Sequence, residues 1–144
     1  MDQLSLMPKE APLNPISLAY IGGLFDGEGS VAVVRTRYEK GGMQHRLRIQ
    51  MAMTNPKALE FCTRLFGGRT HSRESLQENH SPYFTWQLDG SKAGHFLKAI
   101  RPFLLVKDCE ADLGLQFLDQ YPRPGIGRTY ATTRREAVGE RIKK

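Results

Sequence analysis

Residues 18–30 read LAYIGGLFDGEGS, a short apolar run that holds two adjacent glycines and closes on two acids flanking a third. This stretch restricts the fold more than any other, because its parts conflict unless the helix they form has a special neighbour. A glycine inside a helix costs about 1 kcal/mol relative to alanine, and chains carry that cost where a second backbone must come close. Ala19, Gly22, Gly23 and Asp26 lie three and four residues apart and so share one face. Leu18, Ile21, Leu24 and Phe25 supply core contacts around the rest of the circumference. The expectation is a helix that meets a partner along its small face and delivers Asp26 and Glu28 at its C-terminal end.

That end carries the negative pole of the helix dipole, which makes it a poor place for a carboxylate unless a cation joins it. Glu28 stands between Gly27 and Gly29, which free the backbone to turn and bare a carbonyl. A carboxylate beside the Gly27 backbone carbonyl suits a hard cation such as Mg²⁺. A polar C-terminal turn without metal is the plain alternative, and on these four residues alone the two weigh evenly.

The stretch YIGGLFDGEG resembles the signature motif of the LAGLIDADG homing endonucleases. Ile21-Gly22-Gly23-Leu24-Phe25-Asp26-Gly27-Glu28-Gly29 places a permitted residue type at every position, and Glu28 falls at the final, catalytic acid. The motif occurs once, which is similar to the members that work as homodimers. The resemblance thus agrees with a dimer interface at Ala19, Gly22, Gly23 and Asp26. It implies a site-specific double-stranded DNA endonuclease that hydrolyses phosphodiester bonds in a long pseudo-palindromic site and leaves short 3′ overhangs. Mg²⁺ would be held by Glu28 from each subunit; Mn²⁺ is expected to substitute, and Ca²⁺ to support binding without cleavage. One carboxylate per chain is no complete cage, but Mg²⁺ keeps waters and borrows phosphate oxygens. Two divalent ions clamp the attacking and leaving oxygens in such hydrolyses.

Two accessory residues carry over by position. Asn55 stands where the family orients the attacking water, with a plain helix cap as the equal alternative. PFLLVK puts Lys107 where the family keeps a lysine near the scissile phosphate. Leu59 departs from the pattern at a place where a further basic residue is usual; Lys57 or Arg73 would have to substitute.

Composition agrees with a polyanionic partner. Among 144 residues Lys and Arg number 21 against 15 Asp and Glu, a net charge of +6. The length fits one domain with its own core. Cys62 and Cys109 lack metal spacing and read as reduced thiols. His45, His71, His80 and His95 show no paired ligand spacing either. No apolar run approaches a membrane span, and Asp2, Pro8, Glu10, Pro12 and Pro15 interrupt the amino terminus where a signal peptide needs an apolar stretch. The expected setting is soluble and intracellular, a prokaryotic cytoplasm or an organelle, with no membrane partner.

Residues 1–15 read as a flexible Pro-rich arm, 16–122 as the endonuclease-type domain, and 123–144 as a basic tail or helix whose Arg134, Arg135, Arg141, Lys143 and Lys144 suit phosphates. Asn14 or Ser17 caps the motif helix, with Pro15 at its start. VAVVRTRY and HRLRIQMAM alternate and form a hairpin. KALEFCTRLF is a helix after Thr54-Asn55-Pro56. RTHSRESL and PYFTWQL are two more strands, and SKAGHFLKAI and KDCEADLGLQFLDQY two more helices. The fold class is α+β in the order α-β-β-α-β-β-α-α, a four-stranded antiparallel sheet with helices on one face. The resemblance adds a saddle shape with DNA on the other face.

In the second strand Leu47, Ile49, Met51 and Met53 point to the core, and Arg46, Arg48 and Gln50 point away. His71 and Arg73 alternate likewise. Arginine pairs bidentately with guanine and glutamine with adenine in the major groove, which admits a β-ribbon. A solvated polar face is the alternative for any one of them. Thr36, Tyr38, Arg35 and Arg37 are further DNA candidates, although Arg35 and Arg37 share parity with the core-facing Val31 and Val33. A bulge or an overhanging strand end would reconcile this. The rival functions are an RNA-binding intron-splicing factor (a maturase, with host intron RNA as partner) and a non-cleaving DNA-binding protein on the same fold. An intein-embedded enzyme is disfavoured, since the chain opens with Met1 and leaves no room for splicing blocks.

Overall fold

The structure is a computed structural model that describes residues 14–73 and 82–121. Elements follow in the order α1 (Pro15–Glu28), β1 (Gly29–Arg37), β2 (Met43–Met53), α2 (Lys57–Phe66), β3 (Arg69–Arg73), β4 (Tyr83–Asp89), α3 (Ser91–Ile100) and α4 (Asp108–Gln120), with a 3₁₀ turn at Arg101–Phe103. The α+β order read from the sequence holds throughout. The arm before residue 14 and the tail after 121, with its five named cations, lie outside the described residues, as do His80 and the expected continuation of β3.

Local rules explain most boundaries. Asn14 begins α1: its Oδ1 accepts the N–H of Ile16 at 2.9 Å, and Pro15 occupies the first turn, where no N–H is needed. The chain leaves α1 directly into β1, which pairs antiparallel with β2 from Gly29 opposite Met51 to Arg37 opposite Met43. The sheet order is β1-β2-β4-β3, with every neighbouring pair antiparallel.

Alternation divides the sheet into two faces. Val31, Val33, Leu47, Ile49, Met51, Trp86 and Leu88 are buried beneath the helices. Phe96 of α3 sits at the centre, with ring centroids of Phe66, Trp86 and Phe25 at 5.0, 5.2 and 5.3 Å in edge-on contact. Each such ring contributes about 1.5–3 kcal/mol through its burial. The Trp86 indole N–H donates to the Gly67 carbonyl at 2.8 Å, so the largest core side chain leaves no donor unpaired. The opposite face carries the polar residues.

The β1–β2 register runs without a bulge, so the overhanging end is what reconciles the parity of β1. Arg35 lies opposite His45 and Arg37 opposite Met43, on the helix-side parity but exposed past the helices. Among the described residues, no helix is long and apolar enough to cross a membrane.

Candidate functional site

The C-terminal half of α1 is bound tightly to its own chain. A Cβ on Gly22 would lie 2.8 Å from the Phe103 Cβ, so only glycine admits the 3₁₀ turn this close. One helical turn later, the Asp26 carboxylate accepts the backbone N–H groups of Leu105, Val106 and Lys107 at 2.8, 3.1 and 3.0 Å. Lys107 Nζ returns the contact by donating to the Asp26 carbonyl at 2.5 Å. Partial desolvation pushes the Asp26 pKa up, but the three N–H donors and the nearby ammonium outweigh it, and the net shift is downward. Lys107 stands at the start of α4, an unhelpful place for a cation; its side chain reaches instead to the electronegative end of α1.

The surroundings of the small-residue face differ from one residue to the next. Gly22 is buried against Phe103, and Asp26, half-buried, spends its carboxylate on residues 105–107 of its own chain. Spacing alone grouped them with Ala19 and Gly23, which are exposed. Among the described residues, added Cβ atoms at Gly23 and Gly27 would meet nothing within 4 Å. On the same outward side Ile16 is 81% and Tyr20 50% exposed.

Glu28 ends the helix as an exposed residue. Any side chain at Gly29 would overlap the Phe25 ring, so the backbone must pass flat over that ring into β1. The Phe25 carbonyl takes the Gly29 N–H and the Asp26 carbonyl takes Lys107 Nζ; the Gly27 carbonyl is the next one along. Glu28 lines an open recess of about 420 Å³ with Ala52, Met53, Thr54 and Tyr83. Asn55 follows Thr54, and its Oδ1 accepts the N–H of Lys57 at 3.0 Å. The cap is therefore made, and the amide nitrogen keeps its two N–H groups. Among the described residues no three His, Cys, Asp or Glu side chains gather to hold a metal. The oxygen donors present, one carboxylate and neighbouring carbonyls, match a hard cation that retains most of its waters. Tyr83 was legible only as an outward-facing strand residue; its place beside Glu28 depends on β4 lying next to β2.

The polar face of the sheet collects the expected DNA residues. Arg46, Arg48 and Gln50 of β2 share it with Thr36 of β1, Gln87 and Asp89 of β4, and Arg69, His71 and Arg73 of β3. Arg46 Nη2 reaches Thr36 Oγ1 at 3.5 Å, the long limit of a hydrogen bond. Tyr38 follows the end of β1 and is partly exposed. Arg35 and Arg37 do not share this face, for the parity reason given above. Asp89, which no sequence pattern singled out, accepts from Arg48 Nε at 2.7 Å and Nη2 at 3.0 Å. That bonding, set against partial desolvation, holds the Arg48 pKa above its ordinary value.

No family model and no curated protein matches the chain by sequence. Solved structures do match by shape. The homing endonuclease I-CvuI, in complex with the I-CreI target in the presence of 2 mM Mg with the DNA not cleaved, superposes at a TM-score of 0.72 and 16% identity, covering 89% of this chain and 80% of that one. The archaeal intron-encoded homing endonuclease I-Vdi141I complexed with DNA gives 0.70 and 17%, covering 89% and 82%. The homing endonuclease I-TnaI gives 0.61 and 18%, covering 88% of each chain. These neighbours are LAGLIDADG homing endonucleases, and the chain has their fold.

Proposed function

We propose that this chain is a site-specific DNA endonuclease that acts as a homodimer, with Glu28 of each copy as the metal-binding catalytic carboxylate. The observation that carries the reading is the position of Glu28. It is exposed at the end of a helix on which Ala19, Gly23 and Gly27 are exposed and Gly23 and Gly27 meet no neighbour among the described residues, on the fold that homing endonucleases share. A second copy packed on that side would bring two Glu28 carboxylates together beneath one duplex. Leu105 and Val106, 87% and 68% exposed and tied to Asp26, would extend the covered apolar surface.

Mg²⁺ bound there would supply an activated water and neutralise charge on the phosphoryl and leaving oxygens. Glu28 and the Gly27 carbonyl would hold it. The Asp26 clasp fixes the end of α1 and so fixes where the Glu28 carboxylate sits. Lys107, anchored on the Asp26 carbonyl, holds its ammonium at the same end of α1 as Glu28, where it would favour a phosphate. The N–H groups of the Asn55 amide are left to orient a water. The arginines of β2 and β3 read bases or hold phosphates across the open face, and Arg35 and Arg37, at the overhanging end, suit phosphates.

The test uses a duplex formed by joining the sequences that flank the reading frame, where it lies in an intron. The protein in Mg²⁺ should cut this duplex once through both strands. In Ca²⁺ it should bind without cutting, and Glu28→Gln in Mg²⁺ should do the same. Binding with no cut by the unaltered protein would leave a DNA-binding protein without nuclease activity. Failure to bind any duplex, with capture of the intron RNA, would replace the reading with a splicing factor.

A further inference from the structure

The polar face is not a uniform field of cations. Around one end of β2 and β4 a recess of about 380 Å³ is lined by Arg46, Arg48, Arg69 and Lys92, and a single carboxylate, Asp89, stands among them. Asp89 does not simply lower the local charge. It takes Arg48 side-on, through Nε at 2.7 Å and Nη2 at 3.0 Å, with both side chains about one-quarter exposed. The two residues are direct cross-strand partners in the β2–β4 register, so backbone pairing as well as the two bonds holds the geometry.

A guanidinium carries five N–H groups. The side-on bond uses one on Nε and one on Nη2, which leaves both on Nη1 and the second on Nη2. One N–H of Nη1 and the second of Nη2 form the end-on fork, directed away from Asp89. We propose that Asp89 is a specificity-determining positioning residue: it locks Arg48 so that its free fork reads the O6 and N7 of one guanine in each half of the target. An untethered arginine can swing to a phosphate and lose sequence information, whereas a held fork matches guanine and no other base edge in the major groove. Arg46, bonded only weakly to Thr36, lacks such a brace and serves a less selective contact. The inference rests on the DNA-binding reading proposed above.

The experiment is selection from random-sequence duplexes in Ca²⁺, run on the unaltered protein, on Asp89→Asn and on Arg48→Lys, with a thermal melt of each. The unaltered protein should enrich one guanine per half-site. Both variants should lose that preference about tenfold while keeping the flanking preferences. Asp89→Asn should bind mixed-sequence duplex at least as tightly as before, because a carboxylate facing phosphates is gone. Retention of the guanine by Asp89→Asn overturns the proposal. So does a uniform loss at all positions together with a lowered melting temperature, which would make the pair a structural strut. If the unaltered protein enriches no sequence, the DNA reading itself falls and takes this inference with it, an outcome distinct from the other two.

Discussion

Gly22 and Gly23 are neighbours in the chain and answer to different surroundings. Gly22 is buried, with Phe103 so close that a methyl group would overlap it; Gly23 is exposed, with open space where a side chain would stand. The difference continues along the helix. Inward, Ile21 and Phe25 are fully buried and Asp26 clasps the loop before α4, while outward lie Ile16, Ala19, Tyr20 and Gly27. One side of α1 therefore answers to the fold, and the other is left for whatever covers it. A glycine that nothing among the described residues demands, in a helix where it costs about 1 kcal/mol, is what the proposed second copy would account for.

The comparison can be broken from either side. The largest effect is expected from Gly23→Leu. It should leave the monomer folded and weaken self-association at least about a hundredfold, near 2.7 kcal/mol, as followed by sedimentation across a concentration series. Unchanged association would remove Gly23 from the seam. Next comes Gly22→Ala, expected to destabilise each chain by about 1–3 kcal/mol through overpacking on Phe103, read as a shifted denaturant midpoint. A stabilised variant would show that the 3₁₀ turn yields.

Asp26→Asn should lower stability by about 1 kcal/mol at neutral pH: the amide oxygen can keep the Val106 and Lys107 N–H groups on a weaker, uncharged acceptor, while the amide nitrogen cannot accept and leaves the Leu105 N–H without its partner. The sign of its pH dependence follows from the lowered pKa. The stabilisation is complete above the ordinary value of 3.8 and is lost as pH falls through the lower folded value. The gap between the parent and Asp26→Asn should thus close in acid, and a gap that persists there would point to packing rather than charge. The smallest effect belongs to Gly23→Ala, which should raise the monomer's stability by up to about 1 kcal/mol, measured below the association threshold.

Much of this was readable before the coordinates. The order of elements follows from strand alternation, the Asn14-Pro15 start of α1 and the Thr54-Asn55-Pro56 start of α2, all of which are local signals. Sidedness is not a local signal. α1 is apolar or small almost all round, so a spacing of three and four says which residues are neighbours without saying which side faces inward. The residues that settle it, Phe103 and 105–107, lie about eighty positions away in sequence. Alternation in β1 left two alternatives for a related reason: it assumes a core beneath every residue, and only the register shows that the strand end overhangs at Arg35 and Arg37 rather than bulging. Asp89 was hidden because its meaning depends on the β2–β4 register, which places it 41 residues from Arg48 and directly opposite. Glu28 was singled out by the resemblance of its motif to the family's, a local match, since its flanking glycines alone suit a plain turn equally well.

The most direct test of the account is the native mass of the protein bound to a duplex that it selects. Two chains on each duplex, falling to one or none with Gly23→Leu while the variant stays folded, is the predicted result. A single chain per duplex that still cuts both strands would contradict it, because one Glu28 would then serve both scissile phosphates and the open side of α1 would need another explanation.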